Sequence, residues 1–464
     1  MIFTQNQKNA VMIHTQILGL SMMLGLSLIT SCNSNKGGIV YDRLIEHHEE
    51  MKHHYFKDYC NKTLNADTEG SEIMSSFIGN HKEASLLAAH KNEKYLVDIL
   101  FEQNKMNNED IKNYFNEQLN KHEAGTDERI VFERFLNVLD RPKDVKDLFE
   151  EYSIEEAKPY IVKQAQNFHF TIINESHYSG QNRVFTKELL KPLWDIGYRY
   201  LALEAFSSGD TLLSDLKYPS RNTGYYLKES NMGNLVREAL SIGYKLIQYD
   251  VPVNGHLELL QRENLRDKAQ AENIYNRTLK EEVVGKVLIH SGHDHQMEFS
   301  MNEMHEFMGE SLKKISKQDI LTINQNVMME KRGKENDYYD FAKQHIRTPS
   351  VFVNKKNDKC LVDPVKYVGG IDIQVYHPET RYIEGRPHWM LSNKGLYSLP
   401  KNIKEKYKGC LLSIRPVGES YESTPIDQFV ISDEKKLILS KGEYMISIID
   451  CNLFLKATIP TIVH

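Results

Sequence analysis

The chain predicts an α/β protein: a mainly parallel, mixed sheet with helices on both faces, preceded by a helical region and followed by a small all-β domain. Three observations predict it. Short apolar, β-branched runs alternate with helix-length amphipathic segments between residues 168 and 376. The stretch before them, from residue 41 to about 163, is rich in Glu, Lys, Asn and Leu at helical period. After about residue 392 only short runs remain, with turn residues between them.

The elements follow in order. Residues 168–173, FHFTII, are aromatic and β-branched, as a buried strand should be, and stop at Asn174-Glu175-Ser176-His177. Val184, Leu189, Leu190, Leu193 and Trp194 then recur at helical spacing, and Gly197 supplies the residue on which a helix ends. Residues 200–203 form the next strand, closed by Glu204. Two strands joined through such a helix are parallel with a right-handed crossover, so both carboxyl ends fall on one sheet edge, where open α/β sheets bind ligands.

The alternation continues with a helix at 235–242, a strand at 245–249 that ends on Asp250, and a long helix at about 257–281 carrying Arg262, Arg266 and Asp267. A fourth strand, 286–289, runs into His290-Ser291-Gly292-His293-Asp294-His295. Residues 319–327, 350–354 and 371–376 are further strands, the last being the candidate for an antiparallel one. Runs at 410–415, 429–432, 436–439 and 444–449 have the grammar of hairpins and contain no motif that carries chemistry.

Composition bounds the function. A net charge of -6, with dispersed Lys and Arg and no basic stripe, excludes a nucleic-acid groove. The four histidines His47, His48, His53 and His54 read as the solvated face of a helix, because no acidic or Cys partner recurs at ligand spacing. Residues 17–29 are apolar, short for a bilayer span, and followed by Ile29-Thr30-Ser31-Cys32, which resembles a bacterial lipobox. The expectation is a lipid anchor at Cys32, a tether from Asn33 to Gly38, and a mature chain on the bacterial cell envelope. Cys60, Cys360, Cys410 and Cys451 show no metal spacing, which leaves disulfides and free thiols both open.

The chemistry gathers at four strand ends: Glu175 with His177, Glu204, Asp250, and His290, His293 and His295. Carboxylates and imidazoles in a cleft run general acid/base hydrolysis, or bind a divalent metal or haem iron. No Gly-x-Ser-x-Gly elbow offers a serine nucleophile.

Asn174-Glu175-Ser176-His177 with Arg183, the helix and the strand ending at Glu204 resembles the opening of the erythromycin esterase-like, ChaN-like and Tiki-like superfamily. Arg266-Asp267-Lys268-Ala269-Gln270-Ala271-Glu272-Asn273-Ile274 resembles the Arg-Asp helix of the esterases. His290-Ser291-Gly292-His293 is similar to their His-Asn-x-His, and Arg386-Pro387-His388-Trp389 to their Arg-Pro-x-Trp. The likeness runs over about residues 168–391. Asn174 stands where the family has Gly and Gln270 where it has Met, and the Glu-to-His spacing is that of the ChaN and Tiki branches.

The resemblance implies an envelope-anchored hydrolase of an ester or related acyl bond, with a small-molecule substrate and no cofactor. His177 is then the base on water, oriented by Glu175 or Glu204. His290 or His293 serves as acid or oxyanion stabiliser, and Arg266 holds negative charge. Arg183, Asp250, Arg262 and His295 complete the substrate-binding set. The alternatives it implies are a ChaN-like surface protein that binds haem or a metal, and a Tiki-like metalloprotease with a divalent metal. The expected organisation is a signal peptide and lipobox at 1–32, tether and helical region at 33–165, α/β domain at 166–391 and β domain at 392–464.

Overall fold

The computed structural model describes residue 120 and residues 145–464, without 207–212, 221, 252–258, 282–283, 299–305, 332–336, 363–369, 393 and 453. The apolar leader, Cys32, Cys60 and the histidines 47, 48, 53 and 54 lie outside the described residues. Of the other cysteines, Cys360 and Cys410 are free thiols and Cys451 is disulfide-bonded.

An eight-stranded sheet organises the chain in the order β1-β7-β8-β6-β2-β5-β3-β4. β2 (Phe170–Glu175), β3 (Tyr198–Leu203), β4 (Lys245–Gln248), β5 (Lys286–Gly292), β6 (Ile320–Met328) and β8 (Ile373–Tyr376) are parallel. β1 (Tyr152–Glu156) and β7 (Ser350–Asn354) complete it at one side.

Short helices α1 (Val145–Phe149) and α4 (Leu213–Leu216) flank the longer ones that cover the sheet. Residues two apart on a strand share a face, and the packing obeys that period. Ile173, Leu201, Leu203 and Leu288 pack against α2 (Ala157–Ala165), α3 (Gly180–Asp195) and α5 (Ser230–Ile242) through Ile161, Leu189, Leu193, Leu235 and Val236. Phe170, Ile172, Ala202 and Ile289 pack on the other face against Ala271 and Ile274 of α6 (Leu259–Asn276) and Met308 and Leu312 of α7 (Met308–Ser316). Each fully buried aliphatic chain contributes roughly 1.5–3 kcal/mol relative to exposure, so both layers are held by many such terms.

The ends of the helices are specified locally. Ser179 caps α3 by accepting from the Asn182 amide, and Gly197 follows the helix with φ of 101°. Glu229 caps α5 by accepting from the Met232 amide at 2.9 Å, and Gly243 ends it in the left-handed region.

After two short antiparallel pairs, β9 (Tyr382–Ile383) with β10 (Arg386–Pro387) and β11 (Gly395–Tyr397) with β14 (Leu437–Leu439), the C-terminal part forms a four-stranded antiparallel sheet: β12 (Leu411–Pro416), β13 (Asp427–Val430), β15 (Gly442–Ile449) and β16 (Leu455–Val463), in the order β13-β12-β15-β16. It is bonded to the α/β body. Arg237 of α5 forks onto Glu419, and Thr424 Oγ1 donates to the Leu227 carbonyl. Arg386, wholly buried, donates to both oxygens of Asp427 at 3.1 and 2.6 Å.

Several expectations are corrected. β1 falls inside the segment expected to be helical; it pairs with β7 at the sheet's border, and its sequence YSIEE is too polar to announce a strand. The antiparallel strand is β7, not 371–376, because β7 reaches its neighbours β1 and β8 without a parallel crossover. The fourth strand extends through His290, Ser291 and Gly292, which pair with Ile173, Asn174 and Glu175. β16 is not among the expected strands: Ala457, Ile459 and Val463 alternate along it, but Pro460 interrupts the run as a turn residue would.

Candidate active site

Strand order brings the predicted ends together. β2, β5, β3 and β4 are consecutive neighbours, so Glu175, His290, Glu204 and Asp250 stand side by side at one carboxyl edge. Glu175 shares its strand parity with Ile173 and leans toward α3. Glu204 shares the parity of Ala202 and leans toward α6.

Each carboxylate meets an arginine from the helix on its own face. Arg183 donates through Nε to Glu175 Oε2 at 2.7 Å and through Nη2 to Oε1 at 2.8 Å, with Nη1 3.0 Å from Glu229 Oε2. All three side chains are buried, so the pairing is obligatory. Burial alone would raise the Glu175 carboxyl, but the Arg183 guanidinium overrides it and holds the group far below the ordinary carboxylate range.

Across the sheet, Arg266 donates through Nη2 to Glu204 Oε1 at 2.7 Å and forks onto Asp250 through Nε and Nη2, both at 2.9 Å. Gln270 Nε2 adds a bond to Asp250 Oδ1 at 2.7 Å. Glu204 Oε2 accepts from the Gly292 amide. Burial would raise Glu204 too; His295 and Arg266 keep it ionised well below its usual range.

His177 joins the two halves. Its Nδ1 is 3.0 Å from Glu175 Oε1, and its ring stacks on Tyr226 with centroids 4.1 Å apart and planes at 15°. The opposite edge lies over Gly292: a Cβ there would come within 2.5 Å of Nε2 and 3.0 Å of Glu204 Oε2. Only a residue without a side chain lets this imidazole approach.

The remaining histidines differ sharply. His290 is wholly buried with Nε2 3.7 Å from Glu175 Oε2 and no hydrogen-bond partner for that nitrogen; burial pushes it down to about 4, so it is neutral. His295 pairs through Nδ1 with Asp267. Burial would lower His295, but the Asp267 and Glu204 carboxylates raise it to about 9, which makes it an imidazolium at neutral pH. His293 has φ of 42°; its amide donates to the Glu175 carbonyl at 2.9 Å, its own carbonyl accepts from Asn174 Nδ2, and its ring meets that of His177 edge-on at 4.7 Å.

Of the residues expected at the site, the structure brings together Glu175, His177, Arg183, Glu204, Asp250, Arg266, His290, His293 and His295. Arg262 is not among them: it is exposed, and its hydrogen bond among the described residues is to its neighbour Glu263 at 3.4 Å. Four contributors carried no assigned role. Tyr226 gave no signal beyond composition, and Gly292 stood only as an unassigned place in His290-Ser291-Gly292-His293. Glu229 lies outside the helix expected at 235–242; the observed helix begins at Ser230, which makes Glu229 its cap. Asp267 was visible beside Arg266 but had no partner until His295 was placed.

The donor set does not fit a divalent metal. Both oxygens of Glu175 are taken by Arg183 and both of Glu204 by Arg266 and the Gly292 amide, and no group of three ligand-type side chains forms among the described residues. Haem fits no better at His177, whose Nε2 lies against the strand at Gly292.

No protein-family model matches the chain, and no curated protein matches it. Among solved structures, the type III effector HopBA1 superposes with a TM-score of 0.32 and 12% identity, over 49% of this chain and 96% of that one; a likeness this slight carries no argument.

Proposed function

We propose that the chain is an envelope-anchored hydrolase that activates water with His177 to cleave an ester or related acyl bond, the anchor being Cys32. The observation that carries this reading is the Glu175–His177 pair. A carboxylate fixed by Arg183 accepts from Nδ1 and stabilises the ring when it becomes imidazolium, which leaves Nε2, beside Gly292, to take the proton.

In this reaction the water proton passes to His177 Nε2 while the hydroxide oxygen bonds to the acyl carbon. The imidazolium then returns the proton to the departing alkoxide as the carbon–oxygen bond breaks. His295 and Arg266 supply positive charge for the oxyanion on the α6 side. His290, neutral and with no hydrogen bond from Nε2, takes no part in proton transfer. No cofactor enters the scheme.

The test is a panel of aryl and alkyl esters assayed in EDTA with the wild type, His177→Ala and Glu204→Gln. Loss of roughly 10²- to 10⁴-fold in kcat with His177→Ala is expected. Hydrolysis that survives this substitution, or that EDTA abolishes, overturns the reading.

A further inference from the structure

At the amino-terminal edge of the same sheet, opposite the carboxylate cluster, lies a hollow of about 550 Å³ whose lining includes His169, Trp194, Arg199, Tyr200, Lys245 and Val284. Its character is the reverse of the acidic site. The Arg199 guanidinium lies 4.1 Å from the Trp194 ring centroid, and Lys245 Nζ stands 5.7 Å from that of Tyr200.

Further observations point to a ligand. Arg199, Lys245 and the neighbouring Lys286 engage no carboxylate among the described residues, so three cations face the hollow unneutralised. Lys286 and Arg199 are oriented instead by backbone carbonyls, Lys286 by that of Gln166 at 2.6 Å and Arg199 by that of Trp194 at 2.6 Å. Val284 at the lip is 89% exposed, an apolar side chain with nothing packed on it, and His169 Nε2 is shielded from water without a hydrogen-bond partner. Gly285 keeps the space open: a Cβ there would come within 2.6 Å of Arg199 Cγ.

We propose that this hollow binds a small amphiphilic anion, an apolar ring or short acyl body carrying one sulfonate, carboxylate or phosphate. The body lies on Trp194, Tyr200 and Val284, and the anionic group meets the cations of the strand starts. The site is independent of the acid-histidine cluster and of the reaction assigned to it.

The probe is 8-anilinonaphthalene-1-sulfonate, titrated into the full chain in a Trp389→Phe background that leaves Trp194 as the one tryptophan of the two in the sequence. Saturable binding with energy transfer from Trp194 is expected. Lys245→Glu should weaken it at least tenfold and Val284→Asp several-fold, both with unchanged thermal midpoints. The uncharged N-phenyl-1-naphthylamine should bind less tightly than the sulfonate. Affinities within twofold of the parent in both variants, absence of transfer from Trp194, or equal affinity for the uncharged dye would each overturn the proposal.

Discussion

The imidazole of His177 occupies the space that a side chain at position 292 would fill, so Gly292 and His177 are two halves of one arrangement. Gly292→Ala must displace either the ring or the strand. Overpacking of this kind costs about 1–3 kcal/mol. We expect a modest fall in thermal midpoint together with at least a tenfold loss of ester hydrolysis. A fully active Gly292→Ala protein would show that His177 does not work from this position.

Arg183 neutralises Glu175 and Glu229 at once, and all three are buried. Arg183→Leu leaves two carboxylates without a cation and should destabilise the fold by about 3–5 kcal/mol, read from the urea midpoint. Glu175→Gln keeps the shape and removes the charge that supports imidazolium, so its larger effect should fall on kcat. Reversed magnitudes for the two variants would contradict this division of roles.

Stability should be highest near neutral pH and fall on both sides. His290 and His377 are held by burial at about 4 and about 3, below their ordinary 6.5. The unfolded chain takes up protons that the fold refuses, so stability falls as pH drops from 6.5 toward 4. Glu175 and Glu204, kept ionised below their ordinary 4.5, add a further loss below that value. His295 has the opposite sign: raised to about 9, its contribution is complete below 6.5 and disappears as pH rises through 9. Urea midpoints against pH should show a shallower acid limb in His377→Gln and a shallower alkaline limb in His295→Gln.

Anchoring is tested separately. Labelled palmitate should enter the wild type when it is expressed in bacterial cells and should not enter Cys32→Ala. Incorporation that survives the substitution rejects Cys32 as the lipidated residue.

Much of the α/β body was legible in the sequence because its strands are continuous apolar runs and its connections are helix-length. The carboxylates and histidines at the strand ends were legible for the same reason: polar groups that interrupt such runs stand out. Strand order was not, since nothing local says that β5 inserts between β2 and β3, and that insertion is what sets His290 beside Glu175. Partners were also hidden. The sequence offered Glu175 and Glu204 as equivalent orienters of His177, whereas side-chain parity sends one to α3 and the other to α6. β1 buries too little to show a pattern, and the alternation of β16 is broken by Pro460.

That opposite parity gives the site one support on each face of the sheet, with His177 linking them at the edge. A substitution that shifts the α6 layer retunes Glu204 and Asp250 through Arg266, while the Glu175 anchorage in the α3 layer stays shielded behind the strands. Because His177 bonds to Glu175 and lies beside the Gly292 amide that holds Glu204, stability effects of variants taken one from each layer should depart from a simple sum. A ligand that slides α6 alone would change the reach of one carboxylate and leave the base in register.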